Sequence, residues 1–223
     1  MLRLGFAIVL TTTMFGAPQP PDTGAVAGKV KLTRVKGTPL PSTAYQGRTV
    51  GDRQTSALPD LTSVVVYIKD AAFHGTLATK SAELKQQHET FVPHVLAVTR
   101  GTTVSFPNAD PFFHNVFSLS SAAAFNLGRY PPGQSRPWTF AKPGVVKVYC
   151  QIHSHMSATI LVFDHPYFTV PGADGTYQLA GVPPGDYTLV GWHERVGERT
   201  APVKIERGRT ATIDLSLPIE DSK

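Results

Sequence analysis

Apolar side chains recur at every second position through several short runs of this chain, and the runs are separated by turn-forming residues. Val145-Val146-Lys147-Val148-Tyr149-Cys150 is rich in β-branched and aromatic residues, and a two-residue period places Val146, Val148 and Cys150 on one face of a strand. A second apolar run extends from Ser157 to Phe163, so residues 150–156 read as a tight loop between two neighbouring strands. His114 opens a further apolar strand directly after the turn-rich stretch Pro107-Asn108-Ala109-Asp110-Pro111. Downstream, Asp174 to Val190 alternates with Tyr177/Leu179 and Tyr187/Leu189 as paired apolar positions around Pro183-Pro184-Gly185, which predicts a hairpin. Shorter strand patterns occur from Gly24 to Val30, Ser63 to Ile68, Val203 to Ile205 and Thr212 to Leu217.

The 19 glycines and 19 prolines fall between these runs rather than in one block, as turns do in sandwiches and barrels. The predicted class is all-β. A chain of 223 residues, 41% of them hydrophobic, is long enough to bury a sizeable core or to build two small β units. The net charge of +5 comes from scattered Lys and Arg with no recognition motif, which argues against nucleic acid as a partner. Met1-Leu2-Arg3, the apolar Leu4 to Leu10 and the small residues up to Ala17 predict a signal peptide over residues 1–17. Neither Ala17 nor Ala25 is an ideal cleavage site. No other segment reaches transmembrane length, so the expected location is periplasmic or otherwise extracytoplasmic.

Cys150 is the only cysteine. In an oxidising compartment a lone thiol calls for a reason, either as a small buried hydrophobe or as a metal ligand. Cys150, His153 and Met156 are spaced by threes, and a compact turn brings such positions to one side. Thiolate and thioether suit Cu(I), while imidazole serves both copper oxidation states. His114, at the start of its own strand, supplies a second imidazole. His155 stands as a competitor for His153, as a fifth donor, or as a side chain exposed at the mouth of the site.

The run Gly101-Thr102-Thr103-Val104-Ser105-Phe106-Pro107-Asn108, the pair His114-Asn115, and Tyr149 to Met156 together resemble the cupredoxins, the blue-copper proteins, over about residues 80–165. The short Cys-x-x-His-x-x-Met loop is similar to that of amicyanin; plastocyanin leaves a longer gap between the second histidine and the methionine. The resemblance implies a Greek-key β-sandwich with one type 1 copper ion, bound by His114, Cys150 and His153 with Met156 as the axial donor. It also places Asn115 behind the ligands as an amide tying the His114 loop to the Cys150 loop. Ser154-His155 departs from the pattern, where amicyanins usually carry Pro and an aromatic residue. The strands around Tyr177 to Leu217 resemble the transthyretin-like module called the carboxypeptidase regulatory-like domain. In the simplest assembly residues 25–70 and 166–218 form that smaller sandwich and the cupredoxin domain, 80–165, is inserted between its strands; the rival assembly gives the early strands to the cupredoxin.

The function expected on this basis is one-electron transport between protein redox partners, with no enzymatic activity: a multicopper oxidase needs several His-x-His pairs, and His153-Ser154-His155 is the only one here. The alternative is a periplasmic copper carrier or store without an electron-transfer role. Such a protein favours a Met-rich site, and the chain has three Met.

Overall fold

The computed structural model describes residues 22–35, 61–78 and 80–220; the expected signal segment, 1–17, lies outside them. Among the described residues the chain is all-β, with a single 3-10 turn at Leu61–Ser63. Its strands gather around two hydrophobic cores.

Residues 81–163 build the first. A five-stranded sheet runs in the order Val95–Thr99, Ser157–Phe163, Gly144–Tyr149, His114–Ser120, Ala123–Tyr130. Opposite it lie the three strands Ser135–Thr139, Thr103–Pro107 and Ser81–Glu83, together with the small hairpin Lys85–Gln87 and Thr90–Val92. Between these layers are packed Val104, Phe106, Val116, Phe140, Val146, Val148, Ala158 and Ile160, all fully buried. Cys150 and Met156 close one end of this core. The alternation in Val145 to Cys150 therefore does what its period demands: Val146, Val148 and Cys150 face inward, while Val145 and Tyr149 are exposed.

The second core draws its strands from both ends of the chain. One sheet orders Thr176–Val182, Gly24–Val35 and Thr210–Thr212, with Leu215–Glu220 also paired to Gly24–Val35; the other orders Phe168–Thr169, Val64–Lys69, Gly185–His193 and Gly197–Ile205. Val26, Val64, Val66, Ile68, Leu189 and Leu217 fill the space between them. The hairpin expected around Pro183-Pro184-Gly185 does not form. Thr176–Val182 pairs with Gly24–Val35, whereas Gly185–His193 pairs with Val64–Lys69 and Gly197–Ile205, so the turn is a corner that carries the chain from one sheet to the other. A period of two specifies which face is buried but not which strand lies alongside.

The two β-sandwiches touch through a third cluster. Val65, Val95 and Leu161 are its buried centre, and Tyr67, Ala97, Phe163, Phe168 and Trp192 pack around them. This explains why Val64–Lys69 and Ser157–Phe163 are apolar without alternation: each is buried on both faces. Tyr67 and Phe163 meet with ring centroids 4.9 Å apart, and Phe163 stacks on Phe168 at 4.6 Å. At the margin of the cluster Glu194 accepts from His94 Nε2 at 2.5 Å and pairs with Lys147. Trp192 and Glu194 thus take part in a joint between the two sandwiches.

Candidate metal centre

Three donor atoms converge at the end of the first core. His114 Nδ1 lies 3.7 Å from Cys150 Sγ, His153 Nδ1 lies 4.0 Å from the same sulfur, and the two ring nitrogens are 3.1 Å apart. A triangle with those sides has its centre about 2.1 Å from every corner, which matches the range of metal–nitrogen and metal–sulfur bonds. The three donors would therefore suit a single ion held between them. The chemistry fits as well: two imidazoles and one thiolate in a trigonal arrangement are the donor set of a copper electron-transfer site. Among the described residues this trio is the one group of His, Cys, Asp and Glu side chains with metal-binding spacing, and Cys150 is a free, buried thiol.

Local backbone geometry holds each donor. Gly144–Tyr149 and Ser157–Phe163 pair in register up to Tyr149 opposite Ser157, so residues 150–156 must span the gap between adjacent strand ends. Cys150 N–H donates to the Met156 carbonyl at 3.3 Å, and Met156 N–H donates to the His153 carbonyl at 3.0 Å. These two bonds fold the loop onto itself, with Met156 buried beneath in the same core cluster as Cys150.

His114 is fully buried and enters from the neighbouring strand. Its strand slips register against Ala123–Tyr130 between Asn115 and Phe117. Gly128 accommodates the slip at φ +69°, a left-handed conformation that needs no Cβ. Asn126 Oδ1 then accepts from Gly128 N–H and from Asn115 Nδ2, both at 2.9 Å. The other end of the Asn115 amide accepts Gln151 N–H at 3.0 Å, tying the His114 strand to the Cys150 loop. Phe112 packs against both imidazoles, with centroids 5.2 Å from each.

His155 lies apart from the donor trio. Its side chain is 60% exposed and its Nε2 is 3.2 Å from Glu89 Oε2, which draws the ring toward the turn between Lys85–Gln87 and Thr90–Val92. Asp110, a turn former by sequence, also lies at the centre. The carboxylate of Asp110 is buried and lies 2.8 Å from His114 Nε2. Burial alone would raise its pKa, but hydrogen bonds from Glu89 N–H, His114 and His88 N–H outweigh that and hold it below the ordinary carboxylate value. The available signal was its position four residues before His114. Two surface cavities among the described residues, one lined by Lys69, His74, Asp186 and Tyr187 and the other by Tyr67, Asp164, His165 and Glu198, include none of the donor residues.

No family model and no curated protein matches this sequence. Among solved structures the chain is similar to the reduced state of an amicyanin mutant, at 22% identity over 37% of this chain and 81% of that one, with a TM-score of 0.35. It is similar to the Cu(I) form of another amicyanin mutant at 19% identity over 44% and 97%, TM-score 0.35. A novel purple cupredoxin from Nitrosopumilus maritimus aligns at 25% identity over 36% and 98%, with a TM-score of 0.33.

Proposed function

We propose that this chain is an exported type 1 copper protein that carries single electrons between protein redox partners, with copper held by His114, Cys150 and His153 and with Met156 as the fourth, weaker donor. The observation that supports this reading is the donor triangle, whose sides of 3.1, 3.7 and 4.0 Å leave room for one ion among the three side chains. Copper bound there supplies a one-electron couple. The chain's own part is to keep the donors still: Asn115 bridges the two ligand-bearing segments, the 150–156 loop is closed by its internal hydrogen bonds, and His114 is shut off from solvent. A site so braced rearranges little as charge changes, which favours electron transfer over release of the metal. His153 is the half-buried ligand, and the exposed Phe113 and Ile152 flank the two histidines in the chain; this is the edge through which a redox partner would approach. In the same reading residues 80–165 form the copper-binding domain, and the described strands within 25–70 together with 166–218 form a transthyretin-like module.

The test is the visible spectrum of Cu(II)-loaded protein beside that of Cys150→Ser. The wild type is expected to show an intense thiolate-to-copper charge-transfer band. The serine variant, nearly isosteric at a site only 3% exposed, should lose the band and keep its far-ultraviolet circular dichroism. A Cys150→Ser protein that remained blue would overturn the assignment.

A further inference from the structure

The buried carboxylate behind His114 gives that residue a partner of specific consequence. Asp110 is 4% exposed and receives three donors: His88 N–H at 2.6 Å on Oδ1, Glu89 N–H at 3.0 Å on Oδ2, and His114 Nε2 at 2.8 Å, also on Oδ2. Its own N–H donates to Asn108 Oδ1 at 3.0 Å, and Asn108 Nδ2 is anchored on the Phe112 carbonyl at 2.8 Å. The carboxylate is therefore fixed from all sides before any ion arrives. Ionised, it can only accept hydrogen bonds, so the proton of His114 must sit on Nε2. The Nδ1 lone pair is then free and points toward Cys150 and His153, the one tautomer in which His114 can be a ligand at this centre.

The same carboxylate serves a second segment. His88 and Glu89 both adopt left-handed backbone conformations, φ 53° each, which non-glycine residues sustain only when their surroundings enforce it. Asp110 accepts both of their N–H groups, and the turn so held is the one whose Glu89 side chain reaches His155. One carboxylate thereby registers the His114 ligand and the turn that draws His155 away from the donor trio.

We propose, resting on the copper reading above, that Asp110 is a positioning residue which locks the ligand tautomer of His114 and, through its negative charge behind the imidazole, favours Cu(II) over Cu(I) and so lowers the reduction potential. A carboxylate behind a metal-bound histidine makes the imidazole the stronger donor, and removing such a partner typically lowers metal affinity by about 10–100-fold. A neutral amide also brings an N–H toward groups that already donate.

The experiment compares wild type with Asp110→Asn by Cu(II) and Cu(I) competition titrations and by protein-film voltammetry. Asp110→Asn is expected to lose Cu(II) affinity at least tenfold while losing less for Cu(I), raising the potential by about 60 mV for every tenfold change in their ratio. Nitrogen-15 spectra of the Cu(I)-loaded wild type give a second readout that does not depend on the variant's folding. They should show a slowly exchanging His114 Nε2–H. A folded Asp110→Asn with unchanged affinities and potential, or one that is merely less heat-stable, would overturn the proposal, as would an unprotonated His114 Nε2 in the wild type. Failure of the wild type itself to bind copper through Cys150 would instead refute the copper reading on which the proposal rests.

Discussion

Replacing Glu194 by Gln should loosen the joint between the two sandwiches in a pH-dependent way. Hydrogen bonding from His94, against the opposing effect of burial, and then from Lys147, holds the Glu194 carboxyl at about 2 instead of its ordinary 4.5. At about 1.4 kcal/mol per pH unit this corresponds to about 3 kcal/mol. His94 and Lys147 have side chains 45% and 35% exposed, so solvent screening reduces the figure, and about 1–2 kcal/mol is the expected loss. A depressed carboxyl pKa stabilises the fold above the unfolded value near 4.5, and the contribution disappears as pH falls toward 2. His94 is raised above 6.5 by the same hydrogen bond, so its share is complete below 6.5 and fades as pH rises past the folded value. These are one interaction seen from its two ends and are counted once. The gap between wild type and Glu194→Gln should therefore be widest at about pH 4.5–6.5. There, thermal unfolding should show a midpoint lower by about 3–6 °C in the variant. At pH 3 the gap should shrink to less than half. A gap of equal size at pH 3 and pH 5.5, or none at either, would refute the reasoning.

Three further substitutions bear on the metal centre. His153→Gly should lose the visible band and regain one with added imidazole, because its ligand is the half-buried one; His155→Ala should leave the spectrum nearly unchanged. Equal damage from both, read in the same spectrophotometer, would mean that the Glu89 contact does not keep His155 out. Asn115→Ala removes the acceptor of Gln151 N–H and the donor to Asn126 and should destabilise the copper-free protein by about 1–3 kcal/mol in urea titration, with broadened amide resonances for residues 150–156.

The parts of the site that the sequence reveals are those set by local pattern. Val145 to Cys150 and Ser157 to Phe163 carry enough β-branched residues to identify themselves as strands, and the spacing of Cys150, His153 and Met156 marks the loop between them. His114 is legible because it follows a Pro-rich turn and opens an apolar strand. What the sequence hides are partners made by the fold. Asp110 reads as a turn residue until His88 and Glu89, some twenty residues earlier, place their N–H groups on it. Glu194 gains its partner only when the fold brings His94, 100 residues away, against it. The Pro183-Pro184-Gly185 corner misleads for a related reason, since alternation looks the same whether a strand turns back on its predecessor or crosses to the opposite sheet.

The pairing of Gly24–Val35 with Thr176–Val182 and Leu215–Glu220 sets an order on assembly. Lys29 N–H reaches its acceptor on Asp214 across a separation of 185 residues, a stretch that a ribosome takes about 10–40 s to synthesise at about 5–20 residues per second. Strands 81–163 already have all their partners in hand by then, whereas the first strand must wait for the last. The strands of 81–163 can therefore pair before Gly24–Val35 has its full set of neighbours.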